Sequence, residues 1–245
     1  MSPRRTVATA RRVLQQLRHD HRTIALILFV PSVLMIILRW VYNDASAAFD
    51  HLAPMMLGIF PLTVMFVVTS VATLRERTAG TLERLMTLPM AKLDLLLGYA
   101  LAFASLTIMQ GAVASFVAIE LLGVSVAGGA GRMLLVAALS GLLGMSLGLF
   151  LSAFARNEFQ AVQFLPAFVL PQLLTCGLFV ARDQMATPLQ WFADVMPMTY
   201  IVDAMKQVTT YSGWTDDLTR DLLIVSAFVV GALLLGAATL RRSRA

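Results

Sequence analysis

Residues Arg75–Lys92 read RERTAGTLERLMTLPMAK, a charged stretch set between two long apolar runs. Gly80 and Thr81 open a short helix, the threonine hydroxyl being able to cap an unpaired backbone N–H. Pro89, which cannot donate a helical hydrogen bond, stops it about two turns later. Leu82, Leu85 and Met86 share one face, with Glu83, Arg84 and Thr87 on the others. A helix this short is unstable alone and needs a partner surface. A solvated loop is the plain alternative; two defined ends and an apolar face favour a docking element.

The runs on either side belong to a chain of 245 residues, 58% hydrophobic and 13% charged, with a mean hydropathy of +0.78. Those values describe an all-α polytopic membrane protein with one membrane domain, residues 23–245, behind an N-terminal segment, residues 1–22. A helix needs roughly 20 apolar residues to cross a hydrocarbon core of about 30 Å. Six segments supply them: Thr23–Tyr42, Pro54–Leu74, Leu95–Leu122, Met133–Ala155, Phe159–Ala181 and Asp221–Leu240. With both termini on one side, fourteen of the nineteen Lys and Arg residues share that side. They lie in the N-terminal arm, in Arg75–Lys92, at Arg156 and in the tail, leaving Arg39, Arg132, Arg182, Lys206 and Arg220 opposite. By the positive-inside rule the fourteen are cytoplasmic, and so is Arg75–Lys92.

In the N-terminal arm Val7, Ala10, Leu14 and Leu17 fall within one helical arc bordered by Arg4, Arg11, Arg18 and Arg22. That pattern predicts an amphipathic helix in the headgroup layer of the membrane lipids, with its arginines at lipid phosphates rather than at nucleic acid. Basic residues, the apolar run from Ile24 and the triplet Ala45-Ser46-Ala47 also occur in the order of a signal peptide. The triplet is too far from the run, so an uncleaved first span is expected. An outer loop, Asn43–Ala53, follows.

Chemistry-bearing motifs are sparse. The lone Cys176 sits in an apolar run and builds neither a disulfide nor a metal site. Gly144-Met145-Ser146-Leu147-Gly148 matches a hydrolase nucleophile motif, but it lacks the strand-to-helix elbow and a base, since His19, His21 and His51 lie outside the span cores. Gly141, Gly144 and Gly148 instead suit close helix packing. Gly128–Gly131 lacks the Lys-Ser/Thr of a phosphate cradle and is a turn. Glu120, the one acidic residue in the third span, is at its outer edge and solvated.

Two features suggest a transport pathway. Thr63 and Thr69 of the second span carry hydroxyls that satisfy backbone groups freed by Pro61 or line a path. In the fifth span Phe164, Phe168, Gln172, Thr175 and Phe179 recur at helical steps past Pro166 and Pro171. An amide in such a row is costly against hydrocarbon, which favours a lining role. Beyond it, Thr187 as cap and Pro188 at the first helical position open a short outer helix carrying Trp191 and Phe192, Pro197 breaks it, and a second helix follows. These two outer helices, within residues 187–210, are expected to be half-buried and re-entrant, with Trp191, Tyr200, Tyr211 and Trp214 forming an interfacial belt.

Three motifs in this order resemble the permease subunits of type-2 ATP-binding-cassette exporters, particularly the daunorubicin-resistance kind of actinobacteria. Arg75-Glu76-Arg77 with Gly80-Thr81-Leu82-Glu83 and Pro89 is similar to that family's cytoplasmic coupling segment. Ala155-Arg156-Asn157-Glu158 with Gln160-Ala161 is similar to its turn between the fourth and fifth spans. Pro197-Met198-Thr199-Tyr200 is similar to its outer signature before the last span. Thr78 and Ala79 depart from the charged residues usual before the coupling glycine.

The resemblance implies a dimer with a second copy of this permease or a homologous one, bound by two copies of a separate ATPase subunit. ATP and Mg belong to that partner, since neither Lys92 nor Lys206 sits in a phosphate-binding loop and no cofactor is expected in this chain. It further implies coupling to the ATPase through Arg75, Glu76, Arg77, Gly80, Thr81, Leu82, Glu83, Arg84, Leu85, Met86 and Pro89, with Arg156 and Glu158. The path for a hydrophobic or amphipathic substrate would run by the second and fifth spans, and Trp191, Pro197, Thr199 and Tyr200 would form an outer gate. The setting implied is a bacterial cell membrane. A proton-driven secondary transporter is the alternative, and it would need an acidic or histidine side chain deep in a span.

Overall fold

The computed structural model describes residues 2–81 and 92–239. The expected docking residues Leu82, Glu83, Arg84, Leu85, Met86 and Pro89, and the basic tail, lie outside the described residues. Helices run in the order α1 (Pro3–His19), α2 (His21–Val41), α3 (Ser46–Thr78), α4 (Lys92–Phe116), α5 (Ala130–Leu151), α6 (Glu158–Thr175), α7 (Thr187–Val195), α8 (Pro197–Thr210) and α9 (Asp216–Thr239). One π-helical turn, Val117–Leu121, extends α4 and carries the exposed Glu120.

Among the described residues five helices, α2, α3, α4, α5 and α9, are long and apolar enough to cross a membrane. The fifth expected segment, Phe159–Ala181, is instead the 18-residue α6, which stops at Thr175. Three glutamines and two prolines lower its apolar content, and Gly177 turns the chain at φ +83°, a left-handed conformation that a side chain resists. The second segment is longer than expected. At 33 residues, α3 spans roughly 50 Å, longer than a hydrocarbon core requires, absorbs most of the expected outer loop at its start and carries Arg75 and Arg77 in its last turn. The fourth ends early, at Leu151, where Ser152 and the following residues turn.

The glycine stripe on α5 joins the bundle together. A Cβ on Gly144 or Gly148 would collide with the carbonyl oxygens of Leu62 and Phe66, so α3 and α5 meet backbone to backbone. The Ser140 hydroxyl donates to the Gly58 carbonyl in the same seam. On another side of Gly58 sit Ile201 and Met205 of α8, within 3.0 Å of where a side chain would begin. α8 is therefore an inserted helix, burying Met198, Ile201, Val202, Met205 and Val208, whereas α7 buries only Ala193.

The N-terminal helix, expected in the headgroup layer, packs one face on protein. Its Ala10, Val13 and Leu17 are buried in a second core with Leu95, Leu96, Tyr99 and Phe103 of α4, which leaves Val7 and Leu14 on the open flank. Asp20 ends α1 and starts α2 by accepting from the Thr23 N–H at 3.1 Å and the Thr23 hydroxyl at 2.6 Å.

Candidate functional site

Where α3 ends, four elements meet through charged side chains. The Arg75 guanidinium donates twice to Glu158 at the start of α6, at 2.7 and 3.0 Å. One turn of sequence signal explains the far side of this contact. Asn157 caps α6 by accepting from the Gln160 N–H at 2.8 Å, and Gln160 Oε1 accepts from the Arg156 N–H at 2.8 Å, so Glu158 is presented at a fixed angle. The bond from Arg75 holds the Glu158 carboxyl below its ordinary range. Arg156 is exposed beside it.

Glu76, next in sequence, points to the other side. It pairs with Arg12 of α1 at 3.3 Å, and Arg12 also donates to the Tyr99 hydroxyl of α4 at 3.1 Å. The Ser2 N–H donates to the buried Asp94 at 3.0 Å, fastening the start of α1 to the start of α4. Arg77 is half-buried, Gly80 turns the chain at φ +68°, and Thr81 is the last residue described before residues 82–91. The two predicted cytoplasmic motifs, 83 residues apart, thus form one junction with α1 added to it. The arm's part was not foreseen: nothing in its pattern singles out Arg12 from its neighbours.

The predicted substrate row is divided. Gln172 is 1% exposed, and its amide donates to the Phe168 carbonyl at 2.9 Å while accepting from the Met198 N–H at 3.3 Å. It caps α8 and is enclosed here. Thr175 is buried too, its hydroxyl turned back to the Pro171 carbonyl at 2.9 Å. Phe179 lies beyond the end of α6 and is exposed, so the row is not one helical face. Phe164 and Phe168 are half-buried.

Two apolar cavities lie beside that row. One, of about 370 Å³, lies between α2, α3 and the end of α6, and Thr63 and Phe179 line it with Tyr42 and Phe60. The other, of about 580 Å³, lies between α5, α6 and α9, and includes Phe168 and Pro197. Thr69 is fully buried and lines neither.

On the opposite end of the bundle, Pro197 and Thr199 are buried and Tyr200 half-buried. The Thr199 and Tyr200 hydroxyls donate to the Ala193 and Asp194 carbonyls at 2.7 and 2.5 Å, clamping α7 to α8. The expected cap by Thr187 is not made; Ala186 precedes the helix and Thr187 is already in its first turn. Trp191 is 70% exposed. Arg182 donates to Asp203 at 2.6 Å, and Lys206 donates to the Gly177 carbonyl at 3.1 Å, tying the end of α6 to α8. Burial pushes the Asp203 carboxyl up in spite of both cations.

A sequence model of the ABC-2 type transporter family matches residues 5–209. Among curated proteins, the chain is 28% identical over 169 residues to "ABC transporter G family member 20" of Dictyostelium discoideum, covering 69% of this chain and 23% of that protein. It is 25% identical over 171 residues to "Probable multidrug ABC transporter permease YbhS" of Escherichia coli, covering 69% and 45%. It is 27% identical over 175 residues to "Inner membrane transport permease YhhJ" of the same species, covering 69% and 46%. The chain thus spans less than half the length of these relatives.

Proposed function

The chain belongs to the ABC-2 type transporter family of membrane permeases, which have no ATPase activity of their own, and we propose that it is the permease half of an ATP-driven exporter. Its partners are two copies of a separate ATPase subunit and a second permease, this one or a homologue. Drugs, lipids or hydrophobic metabolites are the cargo class; the multidrug name of one relative and the apolar cavity beside Thr63 and Phe179 support it. The setting is a bacterial cell membrane with both termini in the cytoplasm, as the arginine distribution indicates. In this reading α6 is a sixth, short span, and α7 and α8 form the outer gate.

The observation that carries the proposal is the junction of Arg75 with Glu158 and of Glu76 with Arg12. It gathers α1, α3, α4 and α6 around the base of residues 82–91, so a push on that segment reaches several helices at once. Leu82, Leu85 and Met86 would enter a groove of the ATPase, with Glu83 and Arg84 at its rim. Burying each apolar side chain is worth about 1.5–3 kcal/mol, against about 0–1 for an exposed ion pair. With the cognate ATPase co-expressed, Leu85→Asp is expected to abolish its co-purification, and Arg84→Ala to weaken it only slightly. Wild-type association of Leu85→Asp would remove the docking reading.

A further inference from the structure

We propose that the open flank of α1 binds one anionic phospholipid, its phosphodiester held between Arg11 and Arg18 and an acyl chain laid along Leu101 and Ser105 of α4. The buried face of α1 is committed to protein. Ala10, Val13 and Leu17 are enclosed, and at Gly98 a side chain would begin 2.5 Å from the Thr9 Cβ, so the two helices are in close contact. Along their seam runs a groove of about 520 Å³ that includes Val7, Arg11, Leu14, Arg18, Leu101 and Ser105.

Its two walls differ in chemistry. Arg11 and Arg18 are exposed, two turns apart on one side of α1, roughly 10 Å along its axis, within reach of one phosphate between them. Among the described residues neither side chain has a hydrogen bond or ion pair, whereas that of Arg12, between them in sequence, is engaged by Glu76 and Tyr99. The other wall is part of a helix apolar enough to span a membrane: Leu101 is 50% exposed, and Ser105 turns its hydroxyl back to the Ala102 carbonyl at 2.7 Å. An occupant must therefore carry an anion and a hydrocarbon tail that follows α4 into the bilayer. A phospholipid does both; free phosphate has no tail, and an acidic protein segment carries polar backbone into the apolar half.

The test uses the full chain in nanodiscs doped with phosphatidylglycerol or phosphatidylcholine bearing a photoreactive acyl chain, without any ATPase, so its outcome is separate from that of the docking experiment. After irradiation, adducts are mapped by peptide mass spectrometry. Phosphatidylglycerol is expected to label the α4 peptide containing Leu101 and Ser105 at least about tenfold above phosphatidylcholine, the ratio two charges at a lipid surface supply. Arg11→Gln with Arg18→Gln should bring the two yields together, while the Arg→Lys pair keeps most of the excess. An unchanged melting temperature for the Gln pair shows that the loss is not unfolding, both positions being exposed. Equal labelling by both lipids in the wild type, or an excess that survives in the folded Gln pair, would overturn the site.

Discussion

Arg75 and Glu158 are both more than half exposed, so their bidentate contact adds little to stability; its weight is geometric, fixing the start of α6 to the end of α3. The carboxyl's pKa is depressed in the folded protein by that hydrogen bond, so the contact is present at neutral pH and lost only as pH falls through the lowered value, beneath the ordinary 4.5. A carboxyl-carbon NMR titration should place the Glu158 midpoint below that of an unpaired glutamate, and Arg75→Gln should return it. Charge reversal gives a functional counterpart. Arg75→Glu and Glu158→Arg should each reduce permease-dependent ATP hydrolysis by the partner, and the double reversal should restore it; equal loss in all three would mean that the pair is incidental. Each member was legible in sequence as part of a charged motif. Their pairing was not, because no periodicity links residues so far apart. Gln172 adds the converse case: its amide stands out in an apolar row, but its partner, the Met198 N–H of an inserted helix, is a tertiary contact that the row's spacing does not reveal.

At the level of helices, five of the six expected spans are readable from apolar length, and their ends are not, because caps and tertiary contacts set them. Asp20 and Asn157 each fix a helix start through a side chain accepting a backbone N–H, whereas Gly177 truncates α6 by a local turn. The glycine stripe of α5 packs backbone to backbone on α3, as its small-residue spacing implies. Gly144→Leu should therefore separate α3 from α5 and destabilise the bundle by about 1–3 kcal/mol or more, read as a fall in melting temperature in detergent. Gly231→Leu, whose side chain would enter the open cavity between α5, α6 and α9 without meeting backbone, should have little effect. Likewise Gln172→Leu leaves the Met198 N–H without its partner, a cost of about 1–3 kcal/mol. Faster amide exchange confined to α8 would check this, and unchanged exchange there would refute the capping role.

Over the whole molecule, two cores divide the work. One reaches α8, the gate in the proposed reading; the other joins α1 and α4 beside the junction. Between them α3 and α5, locked by their glycine seam, are placed to carry a displacement from one end to the other as a rigid pair. Rigid pairs with two arrangements are what a two-state change of access requires. Composition made the membrane class legible, and the three motifs made the family legible, but the arm's place in the junction needed the folded chain. The ATP-driven reading and the proton-driven alternative differ in one measurable respect. In inside-out vesicles carrying the permease and its ATPase, uptake of an amphipathic fluorescent dye is measured with ATP, with an ATPase-inactive partner, and with a proton uncoupler. The account predicts uptake that requires the active partner and survives the uncoupler; uptake that persists with the inactive partner and collapses with the uncoupler would contradict it.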